Sequence, residues 1–339
     1  MQPFFKIPYV DIRGYTPLEL LFLQRRSALL LVEAAKRTFG QTARTAFAPT
    51  MKLADRASRR WLERSLNPYL PEIAAAAETL GVSGVFLLNV CFEWGCTSGV
   101  WQWGDVALLR RVLDWPIPAL GEHLVVAHQK GPAGDFFNVT WPGYSGVLQA
   151  VAPCRFAAAI NQAPMRQRGA GLAGDWLLGR IAAGRNFALP PAHLLRRAFE
   201  TAADYTAARA MLCETPIAVP AIFVLSGMDR FEGCIIERTE DACSVRNMAN
   251  GHVCATNHFE SHLNDTGHGW RARPIDSYGR FVCARTIGAA HDFSWFAPPI
   301  ANVNSRLALM ADARGPSLSV MGVAGTEPVT EIFRLPADI

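Results

Sequence analysis

The chain has 339 residues, of which 50% are hydrophobic and 18% are charged, as expected for a globular protein with a large core. Its 33 basic and 29 acidic residues leave a formal net charge of +4, too small and too dispersed to favour a nucleic-acid partner. The eight cysteines include no CxxC pair, so neither a disulfide framework nor a zinc ribbon is indicated, and we expect reduced thiols.

Helical patterns occupy the N-terminal part of the chain, over 18–39, 50–66 and 71–80. The second of these segments is basic and amphipathic. Such a helix can lie against an anionic membrane surface or can present an ordinary solvated face, and the sequence leaves both open. The N-terminal residues show no basic segment followed by an apolar one, so we expect no secretory signal and a cytoplasmic location.

From Val85 onward, short apolar segments alternate with turns, which predicts β-strands. The predicted strands are 85–91, 96–103, 106–114, 123–128, 136–141, 147–152, 156–160, 217–225, 231–237, 243–247 and 252–255. Helices are predicted over 171–183, 191–212 and 277–289. Two blocks of strands, with helices between and after them, predict two sheets covered by helices, a layered α+β fold.

The most informative segment is a predicted hairpin that starts at Cys96 and turns at 104–105. Folding the chain about that turn places Cys96 opposite Leu113, with Arg111 on the same face. Asp114 then lies beside the amide that precedes the cysteine. We therefore expect one thiol, one guanidinium and one carboxylate to converge at the start of the strand.

This convergence has a chemical interpretation. A nearby arginine favours the thiolate form of cysteine, and Gly95 leaves its own carbonyl open to attack by the Cys96 thiol. Hydrolysis after that N→S shift would make Cys96 an N-terminal residue, whose α-amine, with a pKa of roughly 7.7–8.0, can act as base for its own side chain. Asp114 would orient the amine. A buried structural cysteine beside a hairpin ion pair explains the same pattern, and the local sequence leaves both interpretations open.

The residues around the hairpin resemble a known family. The segments Leu87–Glu93 and Cys96–Ser98, followed by Arg111-x-x-Asp114-Trp115, are similar to acid ceramidase and N-acylethanolamine acid amidase. These are cysteine-type N-terminal nucleophile (Ntn) hydrolases, related to choloylglycine hydrolases, penicillin V acylases and isopenicillin N acyltransferases. Further similar segments follow in family order: Thr140–Leu148, Phe156–Asn161, Pro220–Gly227, Glu232-Gly233, Arg246-Asn247, Ala255–Phe259 and Asp276–Arg280.

The resemblance implies an αββα sandwich and a chain that cuts itself between Gly95 and Cys96. The products would be a helical part, 1–95, ending in a strand, and a catalytic part, 96–339, which together form one fold. The implied catalytic residues are Cys96 as nucleophile and base, Arg111, Asp114, Asn257 as an oxyanion-hole amide, Arg280 as a supporting arginine, and Asn161 as a further polar group. The chain departs from the family in carrying Val-Leu between Arg111 and Asp114, and in the expected absence of the signal carried by lysosomal members.

The resemblance further implies an amidase that cleaves a small-molecule N-acyl amide, with a fatty or similarly apolar acyl group, through a thioester on Cys96. No cofactor is implied, and the oligomeric state is not indicated. Two alternatives stay open: acyl transfer to an amine, and binding of acylated ligands without catalysis. The candidate pocket residues are Trp94, Trp115, Trp141 and Phe259, although core packing explains such residues equally.

Competing sites are weaker. His258 and His262 are four residues apart, like two metal ligands on a helix, but HExxH is absent and no cysteine pair supplies further ligands. We therefore expect no metal site. The sequence contains no Gly-x-Ser-x-Gly elbow, no P-loop and no dinucleotide-binding fingerprint in a suitable context.

Overall fold

The structure, a computed structural model, describes residues 4–42, 47–91, 94–265, 269–273, 275–288 and 290–335. Three residues that the sequence analysis used lie outside these ranges. They are Phe92 and Glu93, just before the expected cleavage point, and Ala289, at the predicted end of the last helix.

Nine α-helices occur in the described ranges. They are α1 Pro17–Leu23, α2 Arg25–Thr42, α3 Phe47–Arg64, α4 Leu70–Leu80, α5 Val85–Asn89, α6 Gly171–Arg185, α7 Pro191–Thr201, α8 Tyr205–Glu214 and α9 Ser277–Thr286. The predicted helix 191–212 is divided into α7 and α8. The division occurs because Asp204 adopts an extended backbone, and its carboxylate accepts the N–H of Ala207 to cap a new helix.

The strand predicted over 85–91 is wrong, because Val85–Asn89 forms α5. A short apolar run does not distinguish a buried strand from a buried helix. Here Gly84, in the left-handed region at φ 107°, precedes the helical turn. The Asp55 carboxylate of α3 accepts the Leu87 N–H at 3.0 Å, which anchors the turn against the neighbouring helix.

The strands that the structure describes include nearly all the predicted ones. They are β1 Tyr9–Asp11, β2 Gly95–Trp103, β3 Val106–Asp114, β4 Val125–Gly131, β5 Gly134–Thr140, β6 Gln149–Ala152, β7 Phe156–Gln162, β8 Met165–Arg166, β9 Ala221–Ser226, β10 Gly233–Arg238, β11 Cys243–Asn247, β12 His252–Ala255, β13 Trp270–Arg271, β14 Ser305–Asp312, β15 Ser317–Ala324, β16 Glu327–Pro328 and β17 Phe333–Arg334. No strand is predicted before 85, between 161 and 216 or beyond 255, so β1, β8, β13 and β14 to β17 were missed.

The two main sheets pack face to face, as predicted. The larger has the order β1-β4-β5-β6-β7-β9-β10-β11, and the smaller has the order β12-β2-β3-β14-β15-β16, with β17 also paired to β15. Strands β2 and β3 of the smaller sheet contact β7 and β9 of the larger one. Helices α7 and α8 pack on the larger sheet and α9 packs on the smaller, which gives helix, sheet, sheet and helix layers.

Helices α1 to α5 bury their apolar side chains in the same core as the two sheets. Leu21, Leu62 and Ile73 from these helices are fully buried together with Leu109 of β3 and Val224 of β9. None of the helices within the described ranges is both long enough and apolar enough to cross a bilayer.

Candidate active site

The hairpin of β2 and β3 has the predicted register. Cys96 pairs with Leu113, and Gly95 pairs with Asp114. Because successive strand residues point to opposite faces, Cys96 and Arg111 face the larger sheet, whereas Asp114 faces α9. The thiol and the carboxylate therefore lie on opposite sides of the same strand pair.

On the side that faces the larger sheet, Cys96 is fully buried, and the polar neighbours of its Sγ include Arg111 and the backbone of Ile160 and Gln162. Arg111 Nη2 donates to Sγ at 3.3 Å, and the Ile160 carbonyl oxygen of β7 lies 3.8 Å from Sγ. The same carbonyl accepts from Arg111 Nη1 at 2.6 Å, so the strand of the other sheet holds the guanidinium in place. The predicted meeting of thiol and guanidinium is thus present in the geometry.

Burial raises the pKa of the Cys96 thiol to about 11, although the charges of Arg111 and Arg280 act against the rise. In the continuous chain the resting thiol is therefore neutral at neutral pH. Attack by this sulfur requires a group that accepts its proton, because the thiolate is the reactive form.

On the side that faces α9, Arg280 makes a set of contacts around the Gly95–Cys96 peptide. Its Nη1 donates to the Cys96 carbonyl oxygen at 2.5 Å and to Thr97 Oγ1 at 2.8 Å. Nη1 also lies 3.4 Å from Asp114 Oδ2, and both charged side chains are buried. Arg280 therefore fixes the carbonyl side of the cysteine and balances the carboxylate.

The Asp114 carboxylate is held from two sides. Its Oδ1 accepts from the Ser305 hydroxyl of β14 at 2.7 Å, and its Oδ2 faces Arg280. Burial raises the pKa of this carboxyl, and the Arg280 charge acts against that rise. Asp114 also lies close to Gly95, since a Cβ at that glycine would lie 3.4 Å from Asp114 Oδ2.

Asn257 fixes the backbone nitrogen of Cys96. Asn257 Oδ1 accepts from Cys96 N–H and from Arg280 Nη2, both at 2.8 Å. Its Nδ2 donates to the Gln162 carbonyl oxygen at 2.8 Å. Two donors on one atom and an acceptor on the other orient the amide unambiguously. The second Nδ2 hydrogen has no acceptor among the described residues, and Asn257 is fully buried.

Asn161, the weaker candidate, contacts residues near Cys96 and not its sulfur atom. Its Nδ2 donates to the carbonyl oxygens of Ala255 and Thr256, both at 3.1 Å. Its Oδ1 accepts from the Ser98 hydroxyl at 2.7 Å. Asn161 therefore ties β7 to β2 and to the segment that carries Asn257, and makes no direct contact with Cys96 Sγ.

A cleft borders the site beside the residue that precedes Gly95. Its lining includes Trp94, Asn161 and Gln162 near the candidate nucleophile, and Trp176 of α6 at the outer part. Gln162 Oε1 accepts the Trp94 N–H at 2.9 Å, which fixes the chain just before the Gly95–Cys96 peptide.

A second, more apolar pocket lies between the N-terminal helices and the ends of the strands. Leu31 of α2, Leu88 of α5, Trp115, Trp141 and Tyr144 are among its lining residues. Trp115 also contacts Trp94 of the first cleft, with ring centroids 5.3 Å apart. This pocket can hold an apolar group beside Trp115, the residue that follows Asp114.

Of the four predicted pocket residues, Trp94 lines the cleft, and Trp115 and Trp141 line the apolar pocket. Phe259 lies apart from both. It is buried and packs edge-on against Trp270, with ring centroids 5.0 Å apart.

The histidine pair does not form a helical metal-ligand face. His258 lies outside any helix, and its ring nitrogens contact Glu260 and Ser277, whereas His262 begins a short 3₁₀ turn. Among the residues that the structure describes, no group of three His, Cys, Asp or Glu side chains could hold a metal ion.

Four residues at the site were not identified from the sequence. They are Ile160, which acts through its backbone carbonyl, Gln162, which acts through its backbone carbonyl and its side-chain oxygen, and Ser277 and Ser305, which act through hydroxyls. A backbone carbonyl leaves no signal in residue type. The two serines lie far along the chain from their partners, so only the tertiary fold brings them to Asn257 and Asp114.

The chain is similar to known proteins over much of its length. No protein-family model matches the sequence. The chain is 25% identical over 243 residues to acid ceramidase from Bos taurus, covering 65% of this chain and 59% of that protein. It is 29% identical over 188 residues to the N-acylethanolamine-hydrolyzing acid amidase from Oryctolagus cuniculus, covering 53% of this chain and 50% of that one. The chain thus spans between half and three fifths of the length of these relatives.

The fold is similar to that of a solved structure, the Caenorhabditis elegans ortholog of N-acylethanolamine-hydrolyzing acid amidase. The TM-score is 0.52 at 18% identity, and the match covers 71% of this chain and all of that one. The resemblance to acid ceramidases and these amidases, and the predicted αββα class of fold, are confirmed.

Proposed function

We propose that this chain is a self-processing Ntn amidase in which Cys96 is the nucleophile. One observation carries the proposal. The Cys96 thiol lies 3.3 Å from Arg111, and the backbone nitrogen of the same residue is held at 2.8 Å by Asn257. The nucleophile, the prospective amine and the Asn257 side-chain amide are thus close together at a Gly-Cys peptide bond, as both processing and catalysis require.

Processing begins with attack of Cys96 Sγ on the Gly95 carbonyl carbon. The sulfur forms a thioester, the Gly95–Cys96 C–N bond breaks, and the thiol proton passes to the departing nitrogen. Water then hydrolyses the thioester, which releases a Gly95 carboxylate and restores the thiol. The two pieces would be 1–95 and 96–339, and residue 96 would carry a free α-amine.

In the processed enzyme, the α-amine of Cys96 takes the thiol proton as the sulfur attacks the substrate carbonyl. The second Nδ2 hydrogen of Asn257 donates to the developing oxyanion, a contribution of about 3 kcal/mol for one well-placed donor. The protonated amine then gives its proton to the leaving nitrogen. Water hydrolyses the acyl-thioester and releases the acid.

We propose an N-acyl amide with an apolar acyl group as the substrate class. Two observations support it. The pocket between Leu31, Leu88 and Trp115 is lined almost wholly by apolar side chains. The names of the relatives describe a ceramidase and a hydrolase of N-acylethanolamines, both of which act on acyl groups in amide linkage.

The test combines intact mass and activity on one set of proteins: wild type, Cys96→Ala, and the control Cys234→Ala, which removes another buried thiol on β10. We expect two fragments that meet at Gly95/Cys96, and hydrolysis of N-acyl amides, in the wild type and the control only. A wild type that stays uncut and inactive against a panel of N-acyl amides contradicts the proposal.

The same assay separates the two alternatives that the sequence leaves open. An acyltransferase gives the acyl product of an added amine in preference to the free acid. A binder without catalysis retains the acyl amide unchanged, with saturable affinity, in both wild type and Cys96→Ala.

Peripheral membrane contact and a cytoplasmic location stay proposals. The exposed face of α3 carries Arg56 and Arg60, and the adjoining helix α6 exposes Leu172, Trp176 and Leu177. A basic face beside exposed apolar side chains suits an anionic lipid surface. We expect sedimentation with vesicles rich in phosphatidylserine and not with phosphatidylcholine vesicles. Equal recovery in both supernatants contradicts the membrane proposal.

A further inference from the structure

We propose that His258 is a positioning residue that holds Asn257 through the hydroxyl of Ser277, and that protonation of His258 loosens this hold. The proposal rests on the function proposed above, in which Asn257 contacts the reacting atoms. It concerns a histidine that no step of that mechanism uses.

A continuous chain of hydrogen bonds connects the two residues. The Asn257 backbone N–H donates to Ser277 Oγ at 2.9 Å. Ser277 Oγ lies 2.8 Å from His258 Nδ1, and His258 Nε2 lies 2.7 Å from Glu260 Oε1. All of these groups except Glu260 are buried. Asn257, in turn, carries the amide that contacts the backbone nitrogen of Cys96.

The Glu260 carboxylate at one end of this series of hydrogen bonds decides which atom donates in each of them. An ionised Glu260 carboxylate only accepts hydrogen bonds, so neutral His258 carries its proton on Nε2 and leaves Nδ1 as an acceptor. Ser277 Oγ is the nearer donor to Nδ1, at 2.8 Å, because Thr256 Oγ1 lies 3.2 Å from Nδ1 and donates to the Ser277 carbonyl oxygen. This leaves the Ser277 oxygen lone pairs free to accept from Asn257 N–H, so neutral His258 supports the hold on Asn257.

Protonation of His258 reverses the direction of the hydrogen bond between His258 Nδ1 and Ser277 Oγ. Charged His258 donates from Nδ1 to Ser277 Oγ, and the Ser277 hydroxyl hydrogen turns to its other neighbour, Thr256 Oγ1, at 3.0 Å. Ser277 Oγ then accepts from both the imidazolium and Asn257 N–H. A charged donor is the stronger competitor for the oxygen, so the bond to Asn257 weakens.

The surroundings of His258 decide where this change occurs on the pH scale. Glu260 faces Nε2 and Glu237 of β10 lies behind it, whereas Arg246 of β11 pairs with Glu237 at 3.0 Å. From α9, the ring of Tyr278 stacks on the imidazole and Phe281 packs edge-on. Burial outweighs the attraction of the carboxylates and lowers the pKa of His258 below its usual 6.5. The neutral, holding form therefore predominates at neutral pH.

The experiment follows kcat and KM for an N-acyl amide across roughly pH 4 to 8. His258→Asn places a side-chain oxygen near the position of Nδ1, where it can accept from Ser277 without titrating. His258→Leu removes the acceptor. The matched control is His262→Asn, an exposed histidine four residues further along the chain. Thermal melting at each pH separates loss of fold from loss of activity.

We expect wild-type kcat to fall several-fold as the pH drops below the lowered pKa of His258, in addition to the decline that protonation of the Cys96 amine causes, with little change in KM, because Asn257 acts on the reacting atoms. His258→Asn keeps near wild-type kcat at pH 7.5 and loses the additional fall caused by His258, so that only the decline expected from protonation of the Cys96 amine is left, while His262→Asn retains both. His258→Leu lowers kcat about tenfold across the range, the size of effect expected when a positioned donor is disturbed.

A ratio of wild-type kcat to that of folded His258→Asn that stays constant between pH 8 and 4 overturns the proposal, as does wild-type kcat in His258→Leu. Either result leaves the proposed amidase intact. Absence of any hydrolysis by the wild type at every pH contradicts the proposed function instead, so the two failures are distinguishable.

Discussion

At the scale of single residues, Arg280 connects three groups on the side of the candidate site that faces α9. Its guanidinium contacts the Cys96 carbonyl, the Asn257 side-chain oxygen and the Asp114 carboxylate, and it is fully buried. We therefore expect Arg280 to stabilise the fold as well as to support the proposed reaction.

Replacement of Arg280 by alanine leaves the Asp114 carboxylate buried without its cation. Breaking a buried pair in this way lowers the free energy of unfolding by about 3–5 kcal/mol. Urea denaturation measures the loss. The control Arg59→Ala breaks an exposed helical pair with Glu63 and changes stability by less than about 1 kcal/mol. Equal effects of the two substitutions contradict the role assigned to Arg280.

Gly95 permits the side chains of Asp114 and Asn257 to lie close to the peptide bond at which cleavage is proposed. A Cβ there would lie 3.3 Å from Asp114 Cβ and 3.6 Å from Asn257 Oδ1. We expect Gly95→Ala to slow self-cleavage at least tenfold, because small displacements of reacting groups have large effects on rate. A time course of intact mass gives the rate. Gly184→Ala, whose Cβ meets nothing within 4 Å, should cleave normally; equal rates in the two variants contradict this account.

At the scale of elements, the hairpin of β2 and β3 was predictable because its signals are local. Alternation and a turn of two residues define a register, and Cys96 does pair with Leu113. The strand wrongly predicted in place of α5 had a non-local cause. Val85–Asn89 is a short apolar run whose conformation depends on its packing against α3 and α4. Tertiary contacts decided the conformation there, and no local pattern reports them.

The missed strand β14 limited the prediction of the site itself. It pairs with β3 and brings the Ser305 hydroxyl to Asp114, nearly two hundred positions earlier in the chain. The Asp114 side chain could be identified from its hairpin, but its partner could not. Polar residues that complete a buried site come from distant elements, and their pairing is known only once the sheet order is known.

Helix α7 carries a second buried histidine that predicts a pH dependence of stability. His193 Nδ1 lies 2.8 Å from Asn67 Nδ2, and burial lowers its pKa to about 3. In the unfolded chain the pKa is near 6.5, so the unfolded state binds a proton that the folded state does not. The stabilising effect of neutral His193 is complete above pH 6.5 and declines as pH falls toward 3.

This decline amounts to at most about 1.4 kcal/mol per pH unit. His193→Gln, which keeps an amide acceptor for Asn67, should flatten the pH dependence of the free energy of unfolding between about pH 6 and 4. The matched control, His291→Gln at an exposed position, should keep the wild-type slope. A wild-type slope in both variants means that His193 is protonated in the folded state.

At the scale of the whole molecule, the proposed cleavage point divides one shared core. Leu21, Leu62 and Ile73 of the N-terminal helices are buried in the same cluster as residues of both sheets. We therefore expect the pieces 1–95 and 96–339 to elute together in size-exclusion chromatography at the position of the uncut chain, and to separate in denaturant. Elution of free fragments in native buffer contradicts a common core.

The central claim is that Cys96, freed by self-cleavage, carries the acyl group during turnover. The most direct measurement is acid quenching of the enzyme during hydrolysis of an N-acyl amide, followed by mass spectrometry of its peptides. The account predicts one acyl adduct, on the peptide that begins at Cys96, and none in the Cys96→Ala variant. An adduct on another residue, or steady hydrolysis by a chain that remains uncut at Gly95, would contradict it.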